Sequence, residues 1–223
     1  MFKKWLSYFI PVNIYQKKSA LSKNLEVTWN NGELVLDSQN TNYSYGSLQR
    51  ILRKGLKTIG FAEVALKENI LILGVAGGSV IKTLVNEIHC KGKITGVEID
   101  PEVIKMANQY FALDQIPNLE IVIDDAFEFV LKTKEKYDLI IVDIFQDTTM
   151  PNFLFEKFFV NRIGFLLRDK GVLLFNTMIL NTEQEKRNQK YIGKFDPDAF
   201  ELTRIPRIEA HNELILVRKI GTA

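Results

Sequence analysis

The positions of apolar residues divide the chain into two regions. In residues 25–37 apolar and polar residues alternate around Asn31-Gly32, a dipeptide that favours positive φ, and this pattern predicts a β-hairpin. A lone hairpin is only marginally stable, so we expect it to pack on another surface, such as a second subunit. Apolar residues at helical spacing predict a helix over residues 45–59. Residues 1–59 are therefore predicted to form an N-terminal unit.

From residue 69 onward, short apolar runs alternate with amphipathic segments. The apolar runs predict five buried strands, at residues 70–73, 93–97, 119–123, 138–142 and 171–176. Two later strands, at 200–205 and 213–218, are joined by a loop too short for a crossover helix, so they should pair antiparallel. This order predicts an α/β fold for residues 60–223: a Rossmann-like, doubly wound, mostly parallel seven-stranded sheet with an antiparallel final strand.

Composition excludes several classes of protein. Lys and Arg number 29 against 27 Asp and Glu, a net charge of +2, which offers no charge excess to attract nucleic acid. A single cysteine and two histidines exclude a disulfide scaffold or a zinc module, and we expect no metal. No apolar run approaches the ~20 residues of a membrane span. We expect a cytoplasmic protein.

The N-terminal residues 5–12 are apolar and flanked by lysines. They superficially resemble a signal peptide, but the run is short and lacks a small-residue cleavage site. The segment is predicted to be a short amphipathic helix docked on the domain or on a partner subunit. A membrane-surface role is the alternative.

Candidate chemistry lies where each predicted strand ends, because doubly wound sheets bind ligands outside the carboxyl ends of their strands. The first strand leads through Gly74-Val-Ala-Gly-Gly78 into a helix. Small residues there let the backbone approach a ligand. Glu98 follows the second strand, Asp124 and Asp125 the third, and Asp143 the fourth. An acid at Glu98 can accept both ribose hydroxyls. Asp125 taken alone could simply cap its helix, but together these strand ends predict a nucleoside site.

The glycine spacing bears on which nucleoside is bound. The dinucleotide fingerprint G-x-G-x-x-G would need glycine at 76 and 79, where the chain has Ala76 and Ser79. This departure weakens a nicotinamide dehydrogenase as an alternative. A single adenine nucleoside also explains Asp125, whose carboxylate could accept a hydrogen bond from the adenine amino group.

Four segments taken in order resemble the spermidine synthase family, within the class I S-adenosylmethionine-dependent methyltransferase fold. They are residues 70–80, 97–101, 125–129 and 137–143, and the resemblance covers about residues 20 to 180. It implies that Glu98 holds the ribose, that Asp125 holds the adenine amino group and that Asp143 faces the reacting centre. The implied cofactor-binding set is Gly74, Ala76, Gly77, Gly78, Glu98, Asp125, Ala126 and Asp143, and the implied catalytic set is Asp143, Asp147 and Tyr45.

The chain also departs from the family pattern. Gly77 stands where aminopropyl-transferring members typically carry an aspartate that binds the donor amine. The second acid after the fourth strand is displaced to Asp147, and Gly46-Ser47 replaces a polar pair that includes a glutamate. Each loss removes a partner for buried ammonium groups.

These departures decide the predicted reaction. We predict methyl transfer from S-adenosylmethionine to a small, possibly amine, acceptor. One alternative is aminopropyl transfer from decarboxylated S-adenosylmethionine to putrescine. Another is a nucleoside-binding protein without catalysis. A homodimer or higher homo-oligomer through the N-terminal region is expected.

Overall fold

A computed structural model describes residues 2–19, 21, 24–38, 42–44, 46–145, 149–209 and 211–221. Within these ranges the strands are β1 Val12–Lys17, β2 Leu25–Asn30, β3 Glu33–Ser38, β4 Asn42–Ser44, β5 Asn69–Leu73, β6 Lys93–Glu98, β7 Leu119–Ile123, β8 Tyr137–Val142, β9 Leu167–Met178, β10 Phe200–Ile208 and β11 Asn212–Lys219. The α-helices are α1 Phe2–Leu6, α2 Ser47–Ile59, α3 Phe61–Ala65, α4 Ser79–Lys82, α5 Pro101–Phe111, α6 Ala126–Lys132, α7 Lys157–Leu166 and α8 Thr182–Ile192. A π-helical turn, Thr83–Glu87, continues α4.

The larger sheet has seven strands in the order β10-β11-β9-β8-β5-β6-β7. Strands β5 to β9 pair in parallel, whereas β11 pairs antiparallel with both β9 and β10. The predicted fold class is confirmed. The reversed strand lies between β9 and β10 rather than at the edge.

Helices cover both faces of this sheet, which is why its central strands are apolar throughout. On β5, Ile70 and Ile72 face one layer with α2 and α4, whereas Leu71 and Leu73 face the other with α7. Side chains alternate between faces along a strand, so a strand buried on both faces needs a continuous apolar run.

The N-terminal residues form a second, four-stranded antiparallel sheet in the order β1-β2-β3-β4. The predicted hairpin is confirmed as β2 and β3, and its turn residues Asn31 and Gly32 have φ of 48° and 80°. The helix predicted over residues 5–12 is wrong in its bounds, because the observed helix spans Phe2–Leu6. Strand β1 was not predicted, and it begins at Val12, which pairs with Trp29 of β2. The sheet is anchored through Leu25, Val27 and Leu36, which pack on Val103, Met106 and Phe111 of α5.

Helix α2 belongs to the core of the larger sheet. Its residues Ile51, Leu52 and Leu56 are buried there, and Gly55 lies against Leu174 and Leu214, with no room for a Cβ. The predicted boundary at residues 59 and 60 falls at the junction of α2 and α3 and stays a prediction. No helix in the described ranges combines the length and the apolar character needed to cross a membrane.

Candidate active site

The ends of β5 and β8 touch through their backbones. Asp143 donates its amide to the carbonyl oxygen of Leu73 at 2.9 Å. Gly74 has φ of 89°, and a Cβ at that position would overlap the carbonyl oxygen of Asp143. Only glycine combines this conformation with this approach. The predicted glycine loop and the predicted catalytic acid are therefore in direct contact.

The rest of the glycine loop is held in left-handed conformations. Ala76 has φ of 47° and Gly78 has φ of 78°, and the Gly78 amide donates to Val75 at 2.9 Å. For alanine this conformation costs roughly 1–2 kcal/mol. Such outliers persist where the surrounding structure imposes them, as at ligand-binding loops. Gly77 is buried in this loop, and α4 begins immediately after it at Ser79.

Glu98 ties the loop to the end of β6. Its Oε2 accepts from the amides of Val75 and Ala76, each at 3.1 Å, and its Oε1 accepts from the amide of Asp100 at 3.2 Å. A carboxylate has about four acceptor positions, and backbone amides use three of them. Glu98 therefore holds the loop itself, a role that sequence reasoning missed, and its predicted contact with the ribose hydroxyls stays a prediction.

Asp124 and Asp125 lie at the end of β7. Asp125 Oδ1 accepts from the amide of Phe127 at 2.7 Å, which caps α6 directly before its first residue, Ala126. Asp124 Oδ1 accepts from the Asp125 amide at 2.9 Å. The capping interpretation of Asp125 is confirmed, and its predicted role toward adenine stays a prediction.

Asp143 is largely enclosed at the end of β8. Burial raises the pKa of its carboxyl to about 6; a hydrogen bond from Asn176 lowers that pKa, and the like charge of Glu98 raises it. The Asn176 amide donates to Oδ1 at 2.9 Å. Burial also raises the pKa of Glu98. A cationic group close to either carboxyl would stabilise its ionised form.

Among the described residues, the strand-end acids form no salt bridge with a basic side chain. Some acids elsewhere are paired, such as Glu63 with Arg218 and Asp138 with Arg168. None of the ion pairs in the described part of the chain includes a strand-end acid: Glu98, Asp124, Asp125 or Asp143. The carboxyl edge of the sheet is therefore negatively charged, although the whole chain is near neutral.

Two predicted catalytic residues, Tyr45 and Asp147, lie outside the described residues. The described ranges contain no group of three or more His, Cys, Asp or Glu side chains arranged to hold a metal. Asn176 was missed, although a signal was present: it ends the apolar run of the fifth predicted strand, just as Asp143 ends the fourth.

The strand order and the acidic carboxyl edge define a Rossmann-like protein with a methyltransferase-type sheet. Residues 53–207 match the family described as the spermine/spermidine synthase domain. The chain belongs to this family, as its sequence motifs predicted.

Individual proteins of known name are also similar to this chain. The polyamine aminopropyltransferase of Vibrio vulnificus is 32% identical over 152 residues, which cover 67% of this chain and 50% of that protein. The chain spans about half, or less, of the length of this and other curated relatives. The spermidine synthase of Thermotoga maritima superposes with a TM-score of 0.70 at 20% identity, covering 95% of this chain and 74% of that one. Human methyltransferase-like protein 13 superposes with a TM-score of 0.64 at 21% identity, covering 80% of this chain and 86% of that one.

The prediction of methyl transfer is wrong. The curated relatives are named polyamine aminopropyltransferases, which favours the alternative reaction. The prediction failed because it gave most weight to carboxylates missing at single positions, such as Gly77. The acids that remain at the strand ends still make the site negative. The fold itself is shared with methyltransferases and does not discriminate between the two reactions.

Proposed function

We propose that this chain transfers the aminopropyl group of decarboxylated S-adenosylmethionine to an amine of a small polyamine such as putrescine. The observation that carries the proposal is the set of strand-end acids that form no salt bridge within the described part of the chain, since both substrates are cations. Relatives named polyamine aminopropyltransferase support it. A spermidine synthase in complex with a transition-state analogue, similar in fold at a TM-score of 0.70, covers 95% of this chain.

The donor nucleoside would lie across the ends of β5, β6 and β7. The backbone of the loop from Gly74 to Gly78 would contact it, Glu98 would face the ribose, and the Asp125 oxygen that does not cap α6 would accept a hydrogen bond from the adenine amino group. Decarboxylation removes the donor's own negative charge, and an acidic crevice binds the resulting cation better than it would bind the parent amino acid.

The reaction is a displacement at carbon. The lone pair of the acceptor nitrogen forms a bond to the aminopropyl carbon, and the carbon–sulfur bond breaks with its electron pair retained by sulfur. Neutral methylthioadenosine leaves, and the new secondary ammonium loses one proton. We assign Asp143 as the group that takes this proton or holds the attacking amine in line. With a pKa near 6, its carboxyl is mostly ionised at neutral pH and available as a base.

The test supplies the full chain with decarboxylated S-adenosylmethionine and putrescine and measures spermidine and methylthioadenosine by mass spectrometry. Equimolar formation of both products supports the proposal. Donor binding without methylthioadenosine release, over a panel of putrescine, cadaverine, agmatine and spermidine, would overturn it. Glu87→Gln, a change in an exposed ion pair with Arg53, is the matched control and should retain turnover.

We also propose that the chain self-associates through its N-terminal segment. Phe2, Trp5 and Phe9 are 73%, 63% and 71% exposed there, and apolar exposure of this kind is typical of interfaces. Analytical ultracentrifugation measures the molecular mass of the wild type and of a Trp5→Ser, Phe9→Ser double variant. We expect the variant to have a lower mass, and an equal mass in the two proteins would contradict the proposal. The cytoplasmic location stays a prediction.

A further inference from the structure

Asp143 ends a chain of side-chain amides that reaches it from the far half of the sheet. Asn212 Nδ2 donates to Asn176 Oδ1 at 3.0 Å, and Asn176 Nδ2 donates to Asp143 Oδ1 at 2.9 Å. The register places Asn176 opposite Leu214 and Asn212 opposite Met178, so the two asparagines are diagonal neighbours on one face. We call these two residues the asparagine relay.

The relay orients its own amides. An asparagine side chain can present either its oxygen or its nitrogen to a neighbour. Asn212 donates to the oxygen of Asn176, and in this arrangement the nitrogen of Asn176 points at Asp143. This orientation suits an ionised Asp143, which can only accept hydrogen bonds, and it leaves Oδ2 unconstrained by the relay.

The relay is built into the fold. Asn176 is fully buried on β9. Asn212 begins β11, directly after His211, whose carbonyl accepts a hydrogen bond at 2.7 Å from the amide of Ile179, the residue that follows β9. The carboxylate next along β11, Glu213, is engaged with Arg204 and Asn188. Glu98 is then the titratable group, among the described residues, whose charge acts on Asp143.

We propose that Asn176, held by Asn212, is a positioning residue that fixes the orientation and the ionised state of Asp143 for proton transfer. The proposal rests on the proposed function for its catalytic consequence. The direct effect on the Asp143 carboxyl is independent of that function and is measurable in the protein without substrate.

The experiment titrates the Asp143 carboxyl by carbon NMR in the wild type, Asn176→Leu and Asn212→Ala. Thr177→Val is the control: Thr177 is equally buried, adjacent on the same strand, and bonded to Asn188 and the Glu213 carbonyl rather than to Asp143. Removing the Asn176 donor should raise the pKa of Asp143 by about half a unit to one unit, which corresponds to one hydrogen bond. Asn212→Ala should raise that pKa less, and Thr177→Val should leave it unchanged.

Kinetics separate positioning from general structural damage. In Asn176→Leu we expect kcat to fall roughly tenfold and its acidic limb to move to higher pH, with the donor KM within about twofold. An unchanged Asp143 titration in both relay variants, or an equal shift in Thr177→Val, would overturn the proposal. If Asn176→Leu does not fold, the Asp143 titration in Asn212→Ala tests the proposal instead. Absence of turnover in the wild type would count against the proposed function, while the titration would still judge the relay.

Discussion

The carboxyl edge of the sheet consists of two sides that hold their acids in different ways. On the side of β5, β6 and β7, Glu98 and Asp125 accept hydrogen bonds from backbone amides close to them along the chain or on the adjoining loop. On the side of β8, β9 and β11, Asp143 accepts from a buried side-chain amide supplied by another strand. We call these the donor side and the acceptor side, after the substrates proposed to bind there.

This difference separates two kinds of constraint. Backbone amides are present whatever the side chains, so the donor side depends mainly on loop conformation at positions such as Gly74 and Ala76. The acceptor side depends on the identities of particular residues, Asn176 and Asn212. Variants on the donor side should therefore alter stability and donor binding, and variants on the acceptor side should alter the chemical step.

The largest expected effect is from Asp143→Asn on the acceptor side. Loss of the proposed base should lower kcat roughly 10²–10⁴-fold. Because burial holds the folded pKa near 6 against an ordinary value of 3.8, the folded state binds more protons between these values. Stability therefore falls as pH rises from about 4 to 6. The Asp143→Asn variant has no carboxyl to ionise at this position, so it lacks this loss of stability.

Asp143→Asn should accordingly be about 1–3 kcal/mol more stable than the wild type at pH 7.5, with the difference vanishing near pH 4. Urea unfolding at the two pH values measures it. A variant that loses activity and is equally destabilised at both would show that Asp143 is structural.

Next in size is Gly74→Ala, where the two sides touch. A methyl group there overlaps the Asp143 carbonyl, so we expect a loss of about 2–4 kcal/mol from steric overlap and backbone strain. Gly193→Ala is the matched control, because its nearest neighbour would be 3.7 Å away, and it should change stability by less than about 0.5 kcal/mol. Chemical denaturation measures both; equal effects would contradict the backbone contact.

Glu98→Gln tests the donor side alone. Glutamine has one acceptor oxygen, so it can accept from the loop amides or from the Asp100 amide but not from both. The amides left without an acceptor should cost about 1–3 kcal/mol of folding free energy. We expect the donor dissociation constant to rise roughly tenfold or more while the Asp143 titration moves slightly down, since a like charge is removed. Calorimetry with the donor nucleoside measures the first. An unaltered donor dissociation constant would show that Glu98 does not contribute to donor binding.

The smallest effect is expected for Ala76→Gly. Glycine relieves a left-handed conformation worth roughly 1–2 kcal/mol but increases the entropy of the unfolded chain by about 0.5–1 kcal/mol. The net gain should be up to about 1.5 kcal/mol in thermal or urea unfolding. Ala65→Gly, in helix α3, should instead lose about 1 kcal/mol. A loss at both positions would contradict strain at Ala76.

Local patterns made much of this predictable. Asp100 before Pro101 is a local signal for the start of a helix, and Asp100 does cap α5 through the Glu102 amide. Asn31-Gly32 predicted its turn because positive φ is a property of those residues alone. Strand β1 escaped prediction, since it is stabilised by pairing with β2, and the helix predicted over residues 5–12 reaches only its first residue, Val12.

The sequence by itself determined the alternation of strands and helices, because strands buried on both faces must be apolar. It also determined the edge at which Glu98, Asp125 and Asp143 converge, because each of these acids directly follows such an apolar run. Tertiary structure alone decided what each acid bonds to. Asn176 is 33 residues from Asp143, and Asn212 is 36 residues from Asn176. Contacts over such separations depend on strand order and register, which no local pattern encodes.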